Sequence, residues 1–270
     1  MGKLTGISGE HALERPFLRL ALLHLDPRYD NVRHNLELLE ALFLKAVELK
    51  ADLIITPELA VSGYGFYKIL GRDWIAADSQ KIVVRFSQLA RENNVALVLG
   101  CPVFDEKSDR FYNAAIFIDE NGQVLGEHHK FNVLPGSEGW SSPGVEIKPV
   151  NWHDHKIGLL ICADAYTDKI TTELTRQGAD VLISPAAWCP GLHGPDGEWE
   201  LRSKETGLCL FVCNRTGNDA QLNFDGSSSL IAVDGRRLLD YSDNEPAILT
   251  VDINPKTWLP VSERFNVVRV

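Results

Sequence analysis

The run Ile157-Gly158-Leu159-Leu160-Ile161 is uninterrupted by any polar side chain and ends on Cys162, followed by Ala163-Asp164. It reads as a buried strand that carries a thiol to its C-terminal end, just before a polar turn. That is how α/β enzymes present a nucleophile. Two other segments have the same build. Leu53-Ile54-Ile55-Thr56-Pro57 leads to Glu58, and Val124-Leu125-Gly126-Glu127-His128-His129 leads to Lys130. A carboxylate, an ammonium and a thiol at three strand ends supply a base, an oxyanion stabiliser and a nucleophile.

The rest of the chain alternates in the same way. Strands are predicted over 17–25, 52–56, 95–103, 112–118 and 123–130, then 145–150 paired with 156–162, and 181–184, 208–213, 227–233, 236–241 and 247–252. Helical spacing of apolar residues predicts helices over 31–50, 79–93, 168–177 and 198–207. Asn121-Gly122 and Asp234-Gly235 are hairpin turn signals. Helix–strand alternation mixed with hairpins implies mixed sheets with helices outside. Two halves of this kind suggest a two-sheet sandwich covered by helices. Residues 1–16 read as an N-terminal arm of mixed charge, and 17–270 as one domain.

Composition bounds the partners. The 270 residues are enough for a sizeable core, and 44% are hydrophobic and 24% charged, ordinary for a globular enzyme. A net charge of -10 argues against generic nucleic-acid binding or an anionic membrane surface. No apolar run reaches the 18 residues or so of a membrane helix, and the N-terminus has no apolar core of a signal peptide. Five cysteines, an odd count, then point to reduced thiols in a cytoplasmic protein.

Taken together, three motifs resemble those of the nitrilase superfamily, the carbon-nitrogen hydrolases. They are Pro57-Glu58-Leu59-Ala60-Val61-Ser62-Gly63-Tyr64, His129-Lys130-Phe131-Asn132-Val133-Leu134-Pro135 and Gly158-Leu159-Leu160-Ile161-Cys162-Ala163-Asp164. Gly178-Ala179-Asp180-Val181-Leu182, Asn214-Arg215-Thr216-Gly217 and Gly226-Ser227-Ser228-Ser229 are later family-like stretches. Each piece is weak alone, and their order and spacing carry the resemblance, from about 17 to 252. It implies an α-β-β-α sandwich of two mixed sheets, pairing of subunits into a homodimer or higher homo-oligomer, and catalysis without a cofactor.

Family catalysis maps onto Glu58, Lys130 and Cys162, with a second glutamate at Glu138. The Glu138-Gly139-Trp140 stretch followed by Pro143-Gly144 looks most like aliphatic amidases and formamidases. The implied chemistry uses Glu58 as general base toward the Cys162 thiol. Lys130 and the Ala163 N–H would stabilise the oxyanion, and a thioester would be hydrolysed by water that Glu58 activates. Glu138 would orient the substrate amide and support Lys130 or Glu58. Nitrile-hydrolysing relatives usually carry glutamate two residues after the cysteine, and amidase-like branches aspartate. Asp164 therefore tilts the reading toward a small amide, with a nitrile or an N-carbamoyl amine as alternative substrates, and acyl transfer as an alternative fate of the thioester. Tyr64, Trp140 and Trp188 are candidate pocket walls, and with Ala163 and Asp164 they form the candidate substrate-binding set.

The bland reading of each residue is different. A lone cysteine in an apolar run is most often a small core side chain, and isolated Glu and Lys residues are mostly solvated. Three motifs in register outweigh that reading. Cys189, His193, Cys209 and Cys213 have ligand types that suit zinc. Cys209 and Cys213 lie on one apolar run, however, and positions four apart on a strand are separated by about 13 Å, too far to share one ion. No metal is expected.

Overall fold

The computed structural model describes residues 16–191, 193–220 and 222–270. The arm read over 1–16 therefore lies outside the described residues except for its last position.

Apolar alternation decides the layers. In β1 (Leu18–His24), Leu20 and Leu22 enter one core while Ala21 and Leu23 enter another. β2 (Leu53–Ile55), β3 (Ala96–Asp105) and β4 (Arg110–Ile118) repeat the pattern. Leu53, Ile55, Ala96, Val98, Ala115 and Phe117 face the first core, and Ile54, Leu97, Leu99, Ala114 and Ile116 the second. Successive side chains on a strand point to opposite faces, so this sheet is buried on both sides. Its outer face is covered by α1 (Val32–Glu48) and α3 (Asp73–Asn93), which contribute Leu39, Phe43, Ile82 and Phe86.

The inner face packs on a second sheet built from β6 (Val150–Trp152), β7 (His155–Leu159), β8 (Val181–Ala186) and β9 (Leu210–Asn214). The short ribbon β10 (Asn218–Asp219) and β11 (Leu222–Asn223) follows, and then β12 (Ser228–Val233) and β13 (Arg236–Ser242) complete that sheet. The chain returns to the first sheet through β14 (Ala247–Ile253) and β15 (Asn266–Arg269). With β5 (Val124–His129), the first sheet runs β15-β14-β1-β2-β3-β4-β5, and the second β13-β12-β9-β8-β7-β6. β1, β2 and β3 are parallel, as are β7, β8 and β9. The segments α5 (Lys169–Arg176) and α6 (Glu198–Thr206) bury Ile170, Leu174 and Trp199 against the second sheet. Two single-turn helices, α2 (Tyr67–Leu70) and α4 (Pro135–Glu138), lie in loops. The result is the expected α-β-β-α sandwich.

Several boundaries differ from the sequence reading. The strand expected over 145–150 is only β6, because Pro149 has no N–H to donate to a ladder and Val145 and Glu146 are exposed. β7 ends at Leu159, so Cys162 does not close a strand; it opens a 3-10 turn, Cys162–Tyr166. α3 starts six residues earlier than expected, since buried Ile75 already belongs to its apolar face. The Asp234-Gly235 turn takes positive φ at both positions, 49° and 78°, as a two-residue hairpin of type I′ requires.

Candidate active site

The two sheets bring the three strand-end residues together in the layer between them. After β2, the Thr56 N–H still donates to Val98 O at 3.0 Å, holding the chain on the first sheet. Two residues later it has crossed over, and the Glu58 N–H donates to Ala186 O of the second sheet at 3.3 Å. The crossing needs Gly100: a Cβ there would run into the Pro57 carbonyl oxygen. Glu58 ends fully buried.

Lys130 follows β5, and its N–H donates to Asn113 O on β4 at 2.9 Å. Its Nζ donates to Glu58 Oε1 at 2.7 Å and to Glu138 Oε1 at 2.5 Å. Glu138 closes α4, where its Oε2 accepts from the Leu134 N–H at 2.8 Å. Asn113 Nδ2 donates to Glu58 Oε1 at 2.7 Å and Glu138 Oε1 at 3.2 Å. The remaining oxygen of Glu58, Oε2, accepts from the Ala187 N–H at 2.9 Å. Every one of these side chains is out of contact with solvent.

Electrostatics follow from that geometry. Burial pushes the Glu58 carboxyl up; Lys130 opposes it, and Glu138 adds to it, so the group titrates at about 7. Burial alone would pull the Lys130 ammonium down, but Glu58 and Glu138 outweigh it and hold the charge well above its ordinary range. The Cys162 thiol is 4% exposed and is pushed well above its usual value, first by burial and then by the Glu58 charge. Lys130 and the Ala187 N–H act the other way. With the carboxyl titrating below the thiol, the two rest as thiol and carboxylate and not as thiolate and carboxylic acid. Cys162 sits at φ +46°, a left-handed conformation costly for a side chain with a Cβ.

Asp164, a substrate-binding candidate in the sequence, has both carboxylate oxygens taken up by the protein itself. Its Oδ1 accepts from the Phe131 and Asn132 N–H groups at 3.0 and 2.9 Å. Its Oδ2 accepts from the Ile161 N–H at 2.9 Å and pairs with His128 Nε2 at 2.8 Å. Both oxygens are occupied, and the residue is fully buried. Asn132 Nδ2 adds a bond to Ala163 O at 2.9 Å. These contacts lash the turn that carries the thiol to the chain just after Lys130. Burial would raise the Asp164 carboxyl, but the His128 contact and the backbone donors outweigh it and keep it low.

The aromatic candidates divide. Tyr64 lies under Lys130, its ring centre 5.9 Å from Nζ, and its hydroxyl bonds Ser137 Oγ at 2.9 Å. It also lines a cavity of about 230 Å³ with Lys68, Ser137 and Leu222. Trp140 is buried in the adjoining cluster with Leu59, Phe66, Ala187 and Phe224. Trp188 Nε1 and Tyr166 Oη both donate to His193 O, at 3.1 and 2.5 Å, and their rings meet edge to face. Trp188 is therefore packed against Tyr166, a residue the sequence does not single out. A roomier cavity, about 680 Å³ beside Arg19, Asp252 and Arg264, includes none of the residues of this site. Among the described residues no three His, Cys, Asp or Glu side chains gather where an ion could be held.

Asn113 and His128 were also missed, although each leaves a trace. Asn113 shares a face of β4 with Ala115 and Phe117, so it is polar where the alternation asks for an apolar residue. His128 is two before Lys130 and faces inward with it.

The chain belongs to the carbon-nitrogen hydrolases, whose family model matches residues 19–262. Among curated relatives, a probable nitrilase of Schizosaccharomyces pombe is 26% identical over 91% of this chain and 92% of its own length. A deaminated glutathione amidase of Dictyostelium discoideum is 29% identical over 83% and 82%. Among solved structures, an amidase of the nitrilase superfamily from Nesterenkonia sp. AN1 was solved as a double mutant in complex with acrylamide. It superposes with a TM-score of 0.80 at 26% identity, covering 91% of this chain and 94% of that one. Another structure of that amidase carries the acetamide moiety of fluoroacetamide on its active-site cysteine. The fold and family define a hydrolase. No helix among the described residues is long and apolar enough to cross a membrane.

Proposed function

We propose that the protein hydrolyses a small non-peptide amide through a thioester on Cys162 and releases ammonia. The observation that carries this reading is the buried cluster in which one oxygen of Glu58 is anchored by Lys130 and Asn113 while the other faces the Ala187 N–H. A base titrating at about 7 in a dry layer is suited to taking a proton at neutral pH and returning it.

In the first half-reaction the Cys162 proton passes to Glu58 as sulfur attacks the amide carbon. The oxyanion is met by Lys130 and the Ala163 N–H, donors held in place before charge develops. The intermediate collapses, the C–N bond breaks, and Glu58 delivers its proton to the departing nitrogen as ammonia forms. Glu58 then takes a proton from water, whose oxygen attacks the thioester. The C–S bond breaks, Glu58 returns its proton to the sulfur, and the acid leaves with the thiol restored. Glu138 shares Lys130 with Glu58, which keeps the ammonium from closing on the base alone. Tyr64, Trp140 and Trp188 are assigned to the walls of the acyl pocket. Asp164 is reassigned from substrate contact to positioning, because its four hydrogen bonds leave it no free oxygen. Support for a small acyl group comes from the Nesterenkonia amidase, solved with acrylamide and with butyramide. A cytoplasmic homo-oligomer belongs to the same reading, and sedimentation of the purified protein tests the oligomer.

The test is ammonia release from short amides, N-carbamoyl amines and nitriles, with Cys162→Ala as control. Amide turnover lost in the variant is the expected result. Turnover of nitriles alone, or turnover that survives in Cys162→Ala, overturns it. Carbon dioxide released with ammonia would identify a carbamoyl substrate, and a new acyl product on adding amines would identify acyl transfer.

A further inference from the structure

Two carboxylate oxygens at the centre of the site each accept two hydrogen bonds. Glu58 Oε1 accepts from Lys130 Nζ at 2.7 Å and from Asn113 Nδ2 at 2.7 Å. Glu138 Oε1 accepts from the same two groups at 2.5 and 3.2 Å. Two donors and two acceptors form a closed square. A carboxylate oxygen has two lone-pair directions, so Oε1 of Glu58 is full. Its Oε2 receives only the Ala187 N–H, at 2.9 Å, and keeps one direction open.

Asn113 is well placed to hold this arrangement. It is fully buried on the inner face of β4. Its N–H donates to Ser141 Oγ at 3.2 Å, and its carbonyl accepts from the Lys130 N–H at 2.9 Å. One residue thus fixes Lys130 at its backbone and, through the shared oxygens, limits where its ammonium can go. The neutral amide adds a donor without adding charge, which a second lysine could not do.

We propose that Asn113 is a positioning residue that fills Oε1 of Glu58 and thereby confines proton transfer in both half-reactions to Oε2. The inference rests on the reading of Glu58 as the base. In the first step the S–H bond of Cys162 breaks and an O–H bond forms at Oε2; the same proton leaves Oε2 for the amide nitrogen. Without Asn113, Oε1 has a vacant lone pair beside Lys130, and protons placed there are unproductive. The titratable groups around Glu58 are the charged Lys130 from the end of β5 and Glu138 from α4, and the neutral Cys162 thiol and Tyr64 hydroxyl. None of them replaces the Asn113 donor.

The test compares natural protein with Asn113→Leu, which keeps the volume and removes the donor, and Asn113→Ser, which keeps a shorter one. The Asn113 hydrogen bond favours the ionised form of Glu58, so its loss moves the acidic limb of kcat/KM upward, by about one pH unit in Asn113→Leu and less in Asn113→Ser. The plateau of kcat falls about tenfold to a hundredfold, as a misplaced reacting group does, while KM changes less than about twofold. Circular dichroism and Tm check folding. If Asn113→Leu does not fold, Asn113→Ser carries the same signs. An unmoved limb in folded variant overturns the proposal. So does a raised KM at unchanged kcat, or a loss of rate that only tracks loss of folded protein. If natural protein turns over none of the panel, alkylation of Cys162 by chloroacetamide, followed by intact mass, reads the same limb without turnover. Amide turnover with an unmoved limb would leave the proposed function standing and remove Asn113 from it.

Discussion

Opposing neighbours compete on Glu58, the base of the proposed reaction. Burial and Glu138 favour its neutral form, while Lys130 and Asn113 favour the carboxylate. A base must be ionised before it can accept, so kcat/KM is expected to fall as pH drops through about 7, approaching tenfold per unit below it. Glu58→Gln removes the acceptor. It is expected to lower kcat/KM by about 10²–10⁴ and to abolish that acidic limb, measured as ammonia release between pH 5 and 9. Cys162, Glu58 and Lys130 were legible because motif order singles them out. Asn113 was not, since one polar residue in a strand carries no motif and its meaning depends on two glutamates 55 and 25 residues away.

Among the elements, the 3-10 turn Cys162–Tyr166 depends most on its neighbours. A positive φ at Cys162 persists only where surroundings over-determine it. Asp164 supplies that constraint by accepting backbone N–H groups from both ends of the gap. Asp164→Ala would orphan one buried and two part-buried N–H groups, and His128. At about 1–3 kcal/mol for each unsatisfied group, the variant is expected to lose several kcal/mol in a denaturant titration. The linkage has a definite sign. The Asp164 carboxyl is lowered in the fold, so its contribution is present above the unfolded value near 3.8 and lost as pH falls through the lower folded one. Acid unfolding that is shifted in Asp164→Asn relative to natural protein checks this. Sequence misread the element as a strand end because Leu160 and Ile161 continue the apolar run. The Leu160 N–H does still bond Ile183 O, at 3.1 Å, before the backbone turns away. Gly100 gave no sign either, for its role is an approach between strands. Gly100→Ala is expected to displace Pro57 and Glu58 and so to lower kcat more than it raises KM, as steady-state kinetics on the folded variant would report.

At the scale of the whole molecule, the layers were legible because alternation along β1 to β4 is regular and its two faces enter separate cores. The later segments were harder to read. β10 and β11 have only two residues each, too few for an alternation to register, and β15 pairs with β14 across the irregular stretch between them. The crossing of Pro57-Glu58 from one sheet to the other has a kinetic meaning. Glu58 is on the segment after the first sheet, yet its N–H and Oε2 bond Ala186 and Ala187 on the second. On the proposed mechanism, neither half of the sandwich contains a competent base by itself. During refolding, secondary structure and much of the burial can form in each sheet before the two dock, whereas hydrolysis cannot begin until they have docked. Recovered activity should therefore lag behind recovered far-ultraviolet ellipticity by the time of that last step, and catalysis serves as a clock for the closing of the sandwich.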